Sequence, residues 1–463
     1  MQLTSSHIQV LNRLCPTGRY IAGVSQGSHL VVRSLPSLAV HANFPAVDRI
    51  DSISWNSNGT LILATVSSQG IVHVRSILDH EWTCRVDIGS AGLQSAMFCG
   101  PKNFFVITDF GLRLKMFNLD EIEFSPKFIK NTSSIPVLSP DGRFFALVID
   151  RTDIGIVDTC DMTMVRRFSV GSVSTLVWTG DSSGVNAFET GLGNRISLVY
   201  IEEGTLKSSH AISSPESQVG VRCVESNPFY LVLGYFNEKV SIYDIRTGLD
   251  LIAHISLASS HLVVVDDCPR VFRESLGGDA SVRDRNLFQL GGRNELGFPV
   301  EYREVVPDDT LVESVKRIEI PSTSGVTTLT NAGPSRGGVC DMRLSPDGAW
   351  LAVQTDEKAS IVFIIDLTRV RVTNVLVHRQ PVRCFSWNPR PTGEAAVLAI
   401  ALGDCRVHLW EPTSNSHICI ELTEKNFDAL SALWSSTGEY IVVESEHAVC
   451  CVSVEPHLEP IGG

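Results

Sequence analysis

Short apolar runs separated by polar turns recur along this chain. The stretches "SPDGRFFALV" (Ser139–Val148) and "SPDGAWLAVQ" (Ser345–Gln354) share one order, a polar turn followed by an apolar run. Pro presets φ, Asp caps the local backbone and Gly accepts positive φ, so the first half of each stretch predicts a tight turn. The second half is short and rich in bulky apolar residues, which indicates a buried β-strand. We therefore interpret the two stretches as the same hairpin in two copies of one structural unit.

Further copies of this unit align on a turn glycine. The glycines of the clearest copies are Gly18, Gly59, Gly142, Gly184, Gly348, Gly393 and Gly438, and weaker copies lie near Lys102 and Pro228. Neighbouring glycines stand 41 residues apart (18 to 59), 42 apart (142 to 184) and 45 apart (348 to 393 and 393 to 438). A period of about 40–45 residues, with four strands per repeat, is typical of a β-propeller blade. The pattern predicts an all-β propeller of about nine repeat units.

The two ends of the chain complement each other in this pattern. The last copy ends near Val454 after its third strand, and the extended "MQLTSS" (Met1–Ser6) can supply the missing outer strand. Such pairing removes an open sheet edge. It favours a single large ring over two fused rings.

One region breaks the rhythm and sets the domain boundaries. Between Pro228 and Gly348 lie 120 residues, where one period would suffice. The excess is rich in Gly, Ser, Thr and Asn, with extended segments expected at "HLVVVDD" and "VKRIEI". A connection of this length is either functional or disordered. We expect propeller at 1–256 and 337–463, with a long insertion at 257–336.

Composition narrows the class of partner. Lys plus Arg total 38 against 51 Asp plus Glu, a net charge of -13. Nucleic acid and anionic membrane surfaces both demand a basic face, so neither is expected as a partner. The densest basic clusters, "VRDR" (Val282–Arg285) and "TRVRV" (Thr368–Val372), are short. No secretory signal or apolar run long enough to span a membrane is visible, which predicts a cytoplasmic protein. The 12 cysteines lack C-x-x-C spacing and are expected to be free thiols.

The sequence contains only weak matches to catalytic, metal-binding and docking motifs. "GVSQG" (Gly23–Gly27) fits the G-x-S-x-G nucleophile elbow, but that motif needs a helix after the serine and none is predicted here. A hydrolase using Ser25 therefore stays an alternative only. No His or Cys pair has matched zinc-ligand spacing, so no metal, cofactor or catalytic residue is expected. The stretch "YDIR" (Tyr243–Arg246) resembles the docking motif of WD-repeat substrate receptors of cullin-type ubiquitin ligases, a second alternative; it also reads as an ordinary blade end.

One stretch does not reduce to the repeat pattern. "EWTCRVDIGSAGL" (Glu81–Leu93) occupies the outer strand of the second unit and the connection after it. Outer strands are usually polar, whereas this one carries Trp82 between Glu81 and Arg85. An aromatic side chain flanked by charges on a sheet edge suits a partner anchor. Glu81, Trp82 and Arg85 are the candidate partner-binding residues.

The same stretch resembles the centrosomal and spindle-pole WD-repeat family, which includes WD-repeat protein eight and the WRAP-type antisense WD-repeat proteins. "PVRCFSWNP" (Pro381–Pro389), "HLVVRSL" (His29–Leu35) and the C-terminal "NFDALSALWSSTGEYIVVESEHAVCCVSVE" resemble it too, in the same order along nearly the whole chain. The wording of the insertion differs, and several blade-ending Trp-Asp pairs are replaced here by "IVDT", "LVYI" and "CVSV".

The resemblance implies a non-enzymatic scaffold in the cytoskeleton, at the spindle pole body or centrosome. It implies a coiled-coil anchoring partner, of the Msd or synovial-sarcoma-breakpoint-interacting type. It further implies association with a minus-end-directed kinesin in fungi and with the γ-tubulin complex, in the anchoring of microtubule minus ends. Composition and spacing alone indicate only a rigid propeller that binds other proteins.

Overall fold

A computed structural model describes residues 2–89, 92–108, 113–120, 127–130, 135–173, 175–188, 195–200, 206–211, 220–247, 250–257, 269–276, 300–305, 338–390, 395–422 and 427–454. The chain divides into two compact units. The first comprises Met1–Glu189, Arg195–Ala211 and Thr423–Gly463, and the second comprises Thr190–Asn194 and Ile212–Leu422. No described helix is long and apolar enough to cross a bilayer.

Regular structure in the described residues is almost entirely β-strand, with one 3-10 turn at Ser67–Gln69. The first strands are β1 (Gln2–Leu3), β2 (His7–Ile8), β3 (Val10–Leu14), β4 (Tyr20–Ser25), β5 (His29–Ser34), β6 (Ala39–Pro45), β7 (Ser52–Trp55), β8 (Leu61–Val66), β9 (Ile71–Ser76), β10 (Thr83–Asp87), β11 (Ser95–Phe98), β12 (Asn103–Thr108), β13 (Arg113–Asn118) and β14 (Lys127–Lys130). They are followed by β15 (Val137–Leu138), β16 (Phe144–Ile149), β17 (Asp153–Asp158), β18 (Met164–Ser169), β19 (Thr175–Trp178), β20 (Gly184–Phe188), β21 (Arg195–Tyr200), β22 (Leu206–Ala211), β23 (Val221–Ser226), β24 (Tyr230–Tyr235), β25 (Lys239–Asp244) and β26 (Asp250–Ser256). The last are β27 (Arg270–Leu276), β28 (Val300–Val305), β29 (Val339–Leu344), β30 (Trp350–Thr355), β31 (Ile361–Asp366), β32 (Arg371–Val377), β33 (Cys384–Trp387), β34 (Leu398–Ala401), β35 (Arg406–Glu411), β36 (Ser416–Glu421), β37 (Ser431–Trp434), β38 (Tyr440–Glu444) and β39 (Ala448–Ser453).

The described strands form nine sheets, in which neighbouring strands run antiparallel except for the parallel pair β27 and β32; separate small sheets of this kind are typical of an all-β propeller. Eight contain four consecutive strands: β3–β6, β7–β10, β11–β14, β15–β18 and β19–β22 in the first unit, and β23–β26, β29–β32 and β33–β36 in the second. The expectation of about nine such blades is therefore corrected to eight. The last repeat supplies only β37–β39 and forms a composite sheet with the N-terminal segment. The single ring and the boundaries 1–256, 257–336 and 337–463 remain predictions.

The N-terminal segment completes the composite sheet, as the sequence predicts. β1 runs antiparallel to β39, with Gln2 opposite Ser453 and Leu3 opposite Val452. The backbone nitrogen of Thr4 donates to the carbonyl of Cys451 at 3.1 Å, and the backbone nitrogen of Cys451 donates to Thr4 Oγ1 at 3.0 Å. β39 is thus paired on both sides, since β38 covers its other edge.

Burial follows strand position within each blade. The second strand is covered on both faces: every residue of β12 is buried, and so is every residue of β8 and β30 after the first. Outer strands are solvated, as in β18, where only Phe168 is buried. Apolar residues of neighbouring blades fill the space between the sheets; Ala22, Ile53 and Ile62 belong to one such cluster. Strands covered on both faces explain the continuous apolar runs of the sequence.

The repeated turn is held by its serine. Ser139 Oγ donates to Asp141 at 2.6 Å and accepts the backbone nitrogen of Phe144 at 3.0 Å, while Gly142 takes a φ of 71°. Ser345 makes the equivalent hydrogen bonds in the second copy. The glycines at 18, 59, 348 and 438 also have positive φ, between 66° and 72°, which is why glycine stands there.

The alignment of one copy on Gly184 was wrong by two residues. Gly184 begins β20, and Ser182 holds the left-handed position with a φ of 62°. Thr179 Oγ1 accepts the backbone nitrogen of Gly184 at 2.9 Å, so Thr179 does the work of Ser139. In the copy aligned on Gly393 the turn glycine lies outside the described residues, while the strands on either side of it, β33 and β34, are described.

Tryptophans on the first strands of blades tie neighbouring blades together. Each is at most 8% exposed and donates its indole nitrogen to a backbone carbonyl on the first strand of the preceding blade. The pairs are Trp55 to Arg13 (2.9 Å), Trp178 to Val137 (2.8 Å) and Trp387 to Arg343 (2.8 Å). The tryptophans are packed in the core, as the sequence predicts, and each also makes a specific hydrogen bond to the preceding blade.

The insertion contributes two described strands. β27 lies parallel to β32, with Arg270 beside Asn374, and β28 pairs antiparallel with β27, which extends the β29–β32 blade to six strands. Phe272 and Glu274 are buried, and the Phe272 ring lies 4.6 Å from that of Trp410. The segments "HLVVVDD" and "VKRIEI", expected to be extended, lie outside the described residues.

Candidate partner-binding surface

The outer edge of the second blade carries the three predicted residues. β10 is the edge strand of its sheet, as the sequence predicts. Glu81 and Trp82 lie in the loop that precedes it, and Arg85 lies in its middle. All three are exposed; Trp82, with 37% of its surface accessible, is among the large apolar side chains left uncovered.

The strand itself has two different faces. Cys84 and Val86 are half-buried and pack on the core of the blade, whereas Thr83, Arg85 and Asp87 face solvent. Arg85 lies 3.9 Å from Asp87, and both side chains are more than half exposed. Solvent screens such a pair, so it adds little to stability and leaves both charges accessible to a partner.

The loop that carries Trp82 is fixed by its own hydrogen bonds. Ser76 Oγ accepts the backbone nitrogens of Leu78 and Asp79 at 3.2 and 3.1 Å. The carbonyl of Asp79 accepts the backbone nitrogen of Trp82 at 3.2 Å, and Asp79 Oδ1 accepts that of Glu81 at 3.1 Å. A loop ordered in this way presents its side chains at low entropic cost.

Histidine and aromatic rings anchor this loop on the first blade. His80 Nε2 and His41 Nε2 donate to the same carbonyl, that of Ile77, at 3.1 and 3.2 Å. The two imidazole rings meet edge to face at 5.5 Å, and His80 meets the ring of Phe44 at 5.9 Å. Arg75 lies over Phe44 at 5.6 Å. Strand β6 of the first blade thereby supports the loop of the second.

The structure adds Leu78 to the candidate surface. It is 77% exposed and stands four residues before Trp82 in the fixed loop. The exposed leucine and tryptophan therefore present apolar surface beside charged neighbours in one ordered loop. Exposed apolar side chains also occur on other outer strands, such as Met164 on β18 and Leu251 on β26.

The other sequence candidates fall in ordinary blade elements. Ser25 ends β4, and β5 follows after a tight turn in which Gln26 and Gly27 have φ of 53° and 77°. The nucleophile-elbow motif requires a helix after this turn, and a strand stands there.

In the aromatic-Asp-x-Arg stretch, Tyr243–Arg246, the arginine is hydrogen-bonded to the aspartate of the same stretch. Arg246 donates two hydrogen bonds to the carboxylate of Asp244, at 3.0 and 2.8 Å, and its guanidinium lies 5.5 Å from the ring of Phe229. Together with the coulombic attraction, these hydrogen bonds lower the pKa of Asp244. Tyr243 is buried in the blade. The arginine is thus already engaged at a blade end.

Of the two basic clusters, 282–285 lies outside the described residues. Thr368–Val372 spans the turn between β31 and β32 and the first two residues of β32. In this turn Asp366 Oδ1 accepts hydrogen bonds from Thr368 Oγ1 and from the backbone nitrogen of Thr368, at 2.6 and 2.8 Å. In the described residues no group of three or more His, Cys, Asp or Glu side chains is placed to hold a metal ion.

Comparison with known proteins gives one full-length relative. The chain is 26% identical over 467 residues to the WD repeat-containing protein WRAP73 of Mus musculus, covering 96% of this chain and 94% of that protein. No family model matches the chain. The β-propeller domain of Myceliophteria thermophila Cps50 (Swd1) is a distant structural match, with 13% identity, a TM-score of 0.37 and coverage of 55% of this chain and 89% of that one. The resemblance to the WRAP-type WD-repeat family is confirmed over nearly the whole length.

Proposed function

We propose that this WD-repeat propeller is a scaffold at the spindle pole or centrosome. In this proposal the chain binds a coiled-coil partner through Leu78, Trp82 and the charged face of β10, and helps to anchor microtubule minus ends. The γ-tubulin complex and a minus-end-directed kinesin join through that partner. The full-length similarity to WRAP73 supports the proposal that the chain is a WD-repeat scaffold of this kind. The single observation that carries the site is the exposed Trp82 in a hydrogen-bonded loop beside an uncovered strand edge.

Charge supports an indirect attachment to the cytoskeleton. The microtubule surface is strongly acidic, and this chain has a net charge of -13. Surfaces of like sign repel one another at long range. The propeller then links partner and motor, and the partner supplies contact with the microtubule.

The test is affinity purification of the full chain, followed by identification of the co-purifying proteins. A coiled-coil protein together with γ-tubulin or a kinesin is the expected result. Recovery of cullin-ligase subunits in their place would contradict the proposal and favour the receptor alternative.

The site is tested with Trp82→Ala combined with Glu81→Lys. A buried aromatic anchor contributes about 2 kcal/mol or more to an interface, so the dissociation constant of the coiled-coil partner rises roughly thirtyfold. The matched control is Met164→Ala, because Met164 is 40% exposed on the outer strand of another blade. Circular dichroism verifies that both variants fold. Equal partner binding by the double variant and the control would exclude this edge as the interface.

A further inference from the structure

We propose that two arginines of the second blade, Arg75 on β9 and Arg85 on β10, bind the carboxylates of an acidic peptide segment of a partner protein. The proposal rests on the proposed role of β10 as a binding edge, and it names the chemistry that the partner carries there. It does not depend on which protein that partner is.

The strand register brings the two arginines to one face of the blade. Thr83 stands opposite Arg75 in the antiparallel pair of β9 and β10, and Arg85 stands opposite His73. Residues directly opposite one another project to the same face of a sheet, with Cβ atoms about 4.5–5.5 Å apart, and so do residues two apart on one strand. His73, Arg75, Thr83 and Arg85 therefore form one patch, which we call the arginine face.

The two guanidinium charges act on the same imidazole ring. Burial lowers the pKa of His73, and the nearby charges of Arg75 and Arg85 lower it further. Both ring nitrogens of His73 are buried and have no hydrogen-bond partner among the described residues. Positive charge thus converges at His73, where both arginines attract an anion.

Neither arginine is neutralised by a close carboxylate. Arg75 forms no ion pair with any described carboxylate; its guanidinium lies 5.6 Å from the ring of Phe44, on β6 of the first blade. Arg85 Nη2 lies 3.9 Å from Asp87 Oδ2, beyond hydrogen-bonding distance, and the Arg85 side chain is 53% exposed. Both guanidinium groups can therefore bind carboxylate oxygens, which their forked donors match in pairs.

The inner side of the arginine face is closed by packing. On β8, Ile62 stands opposite Arg75 and Ala64 stands opposite His73, and both apolar residues are buried in the cluster that joins the first two blades. On the outer side lies β10, the exposed edge strand of its sheet. A ligand therefore reaches the arginines across β10, next to the loop that carries Trp82.

The surroundings favour a short acidic peptide over other anions. Trp82, which is 37% exposed, directly precedes Thr83 and offers apolar surface to the side chains beside a bound carboxylate. Glu81 and Asp87 flank β10 with negative charge, so one carboxylate or a close pair fits better than a long acidic run. They also repel a phosphate, with its charge of about -1.5 to -2, more strongly than a carboxylate. The net charge of -13 opposes nucleic acid in the same way.

The experiment is fluorescence anisotropy of the full chain with a labelled hexapeptide, in which two glutamates stand between two leucines and two terminal serines. A reference peptide carries glutamines in place of the glutamates, and a third peptide carries phosphoserines there. We expect the glutamate peptide to bind more tightly than the other two. Arg75→Gln and Arg85→Gln are each expected to weaken its binding about tenfold, through the loss of one charge-assisted hydrogen bond.

The matched control is Arg166→Gln, because Arg166 is exposed on the outer strand β18 and the change in net charge is the same. Circular dichroism verifies the fold of each variant; if Arg75→Gln does not fold, the exposed Arg85 decides. Three results would overturn the proposal: the glutamate peptide binds no more tightly than the glutamine peptide, the phosphoserine peptide binds more tightly than both, or either folded arginine variant binds the glutamate peptide like the control.

These outcomes are separate from the test of the proposed function. A coiled-coil partner that co-purifies while the glutamate peptide does not bind would leave the scaffold proposal standing and remove this one. Arginine-dependent binding of the glutamate peptide without a coiled-coil partner would do the reverse.

Discussion

Removal of residues 2–6 tests whether the N-terminal segment holds the composite sheet. The deletion eliminates β1 and with it three hydrogen bonds between Thr4 and Cys451, at 3.0, 3.1 and 3.4 Å. It also uncovers β39, in which Val449 and Cys451 are 0% exposed. Since a hydrogen bond contributes about 1 kcal/mol net, we expect the free energy of unfolding to fall by about 3 kcal/mol. The freed strand edge should also promote aggregation.

The assay is urea unfolding followed by tryptophan fluorescence, with light scattering for aggregation. Thr4→Val removes the two hydrogen bonds of the Thr4 hydroxyl with Cys451, because valine keeps the branched shape and loses the oxygen; it should cost about 2 kcal/mol. Ser5→Ala is the control, since Ser5 is exposed in the same segment. If the truncated chain unfolds at the urea midpoint of the intact one and scatters no more light, the closure described here does not stabilise the sheet.

Three further predictions concern pH and microtubules. Burial raises the pKa of Glu225 to about 7, although Arg343 at 3.7 Å opposes part of this shift. The free energy of unfolding of the wild type should therefore fall as the pH rises from about 4.5 to 7, and Glu225→Gln should become more stable relative to the wild type over that range. Urea titrations at several pH values measure this difference, and a difference that does not change with pH would refute the prediction. Burial lowers the pKa of His378 to about 3, so the neutral imidazole stabilises the fold above about pH 6.5. This stabilisation is lost as the pH falls below about 6.5, by about 1.4 kcal/mol per pH unit. The difference in the free energy of unfolding between the wild type and His378→Gln should therefore shrink on acidification, and a difference that grows would contradict the prediction. The purified chain should not co-sediment with stabilised microtubules at about 0.15 M salt, where the Debye length is about 8 Å; micromolar binding by the chain alone would exclude indirect attachment.

The strands and turns were predictable because their causes are local. Four consecutive apolar residues after a Ser-Pro-Asp-Gly turn form a buried strand in any blade, and the serine, aspartate and glycine that hold the turn are adjacent in sequence. The error at Gly184 shows the limit of this reasoning. A glycine two residues away looked like the turn residue, while the backbone placed Ser182 at positive φ.

The candidate site was predictable only in part. Trp82 stood out because an aromatic residue interrupts a polar stretch assigned to the outer strand, whereas the structure places it in the exposed loop before β10. Leu78 was missed, since exposure of an isolated leucine has no signature in sequence. The loop that presents both depends on His41 and His80, which lie 39 residues apart and meet only after two blades pack.

The amino-acid sequence was sufficient to predict the repeat, most of its turns, the burial of the second strands and the pairing of the N-terminal segment with the last repeat. The side chains that line a cavity beside the β31–β32 hairpin come together only through tertiary packing. Arg270 precedes Arg369 and Arg371 by about a hundred residues, and they meet because β27 adds to β32 in parallel. No local pattern specifies that addition: its register depends on Phe272 packing on Trp410 and on Glu274 lying 3.5 Å from Arg406, contacts between segments more than 130 residues apart.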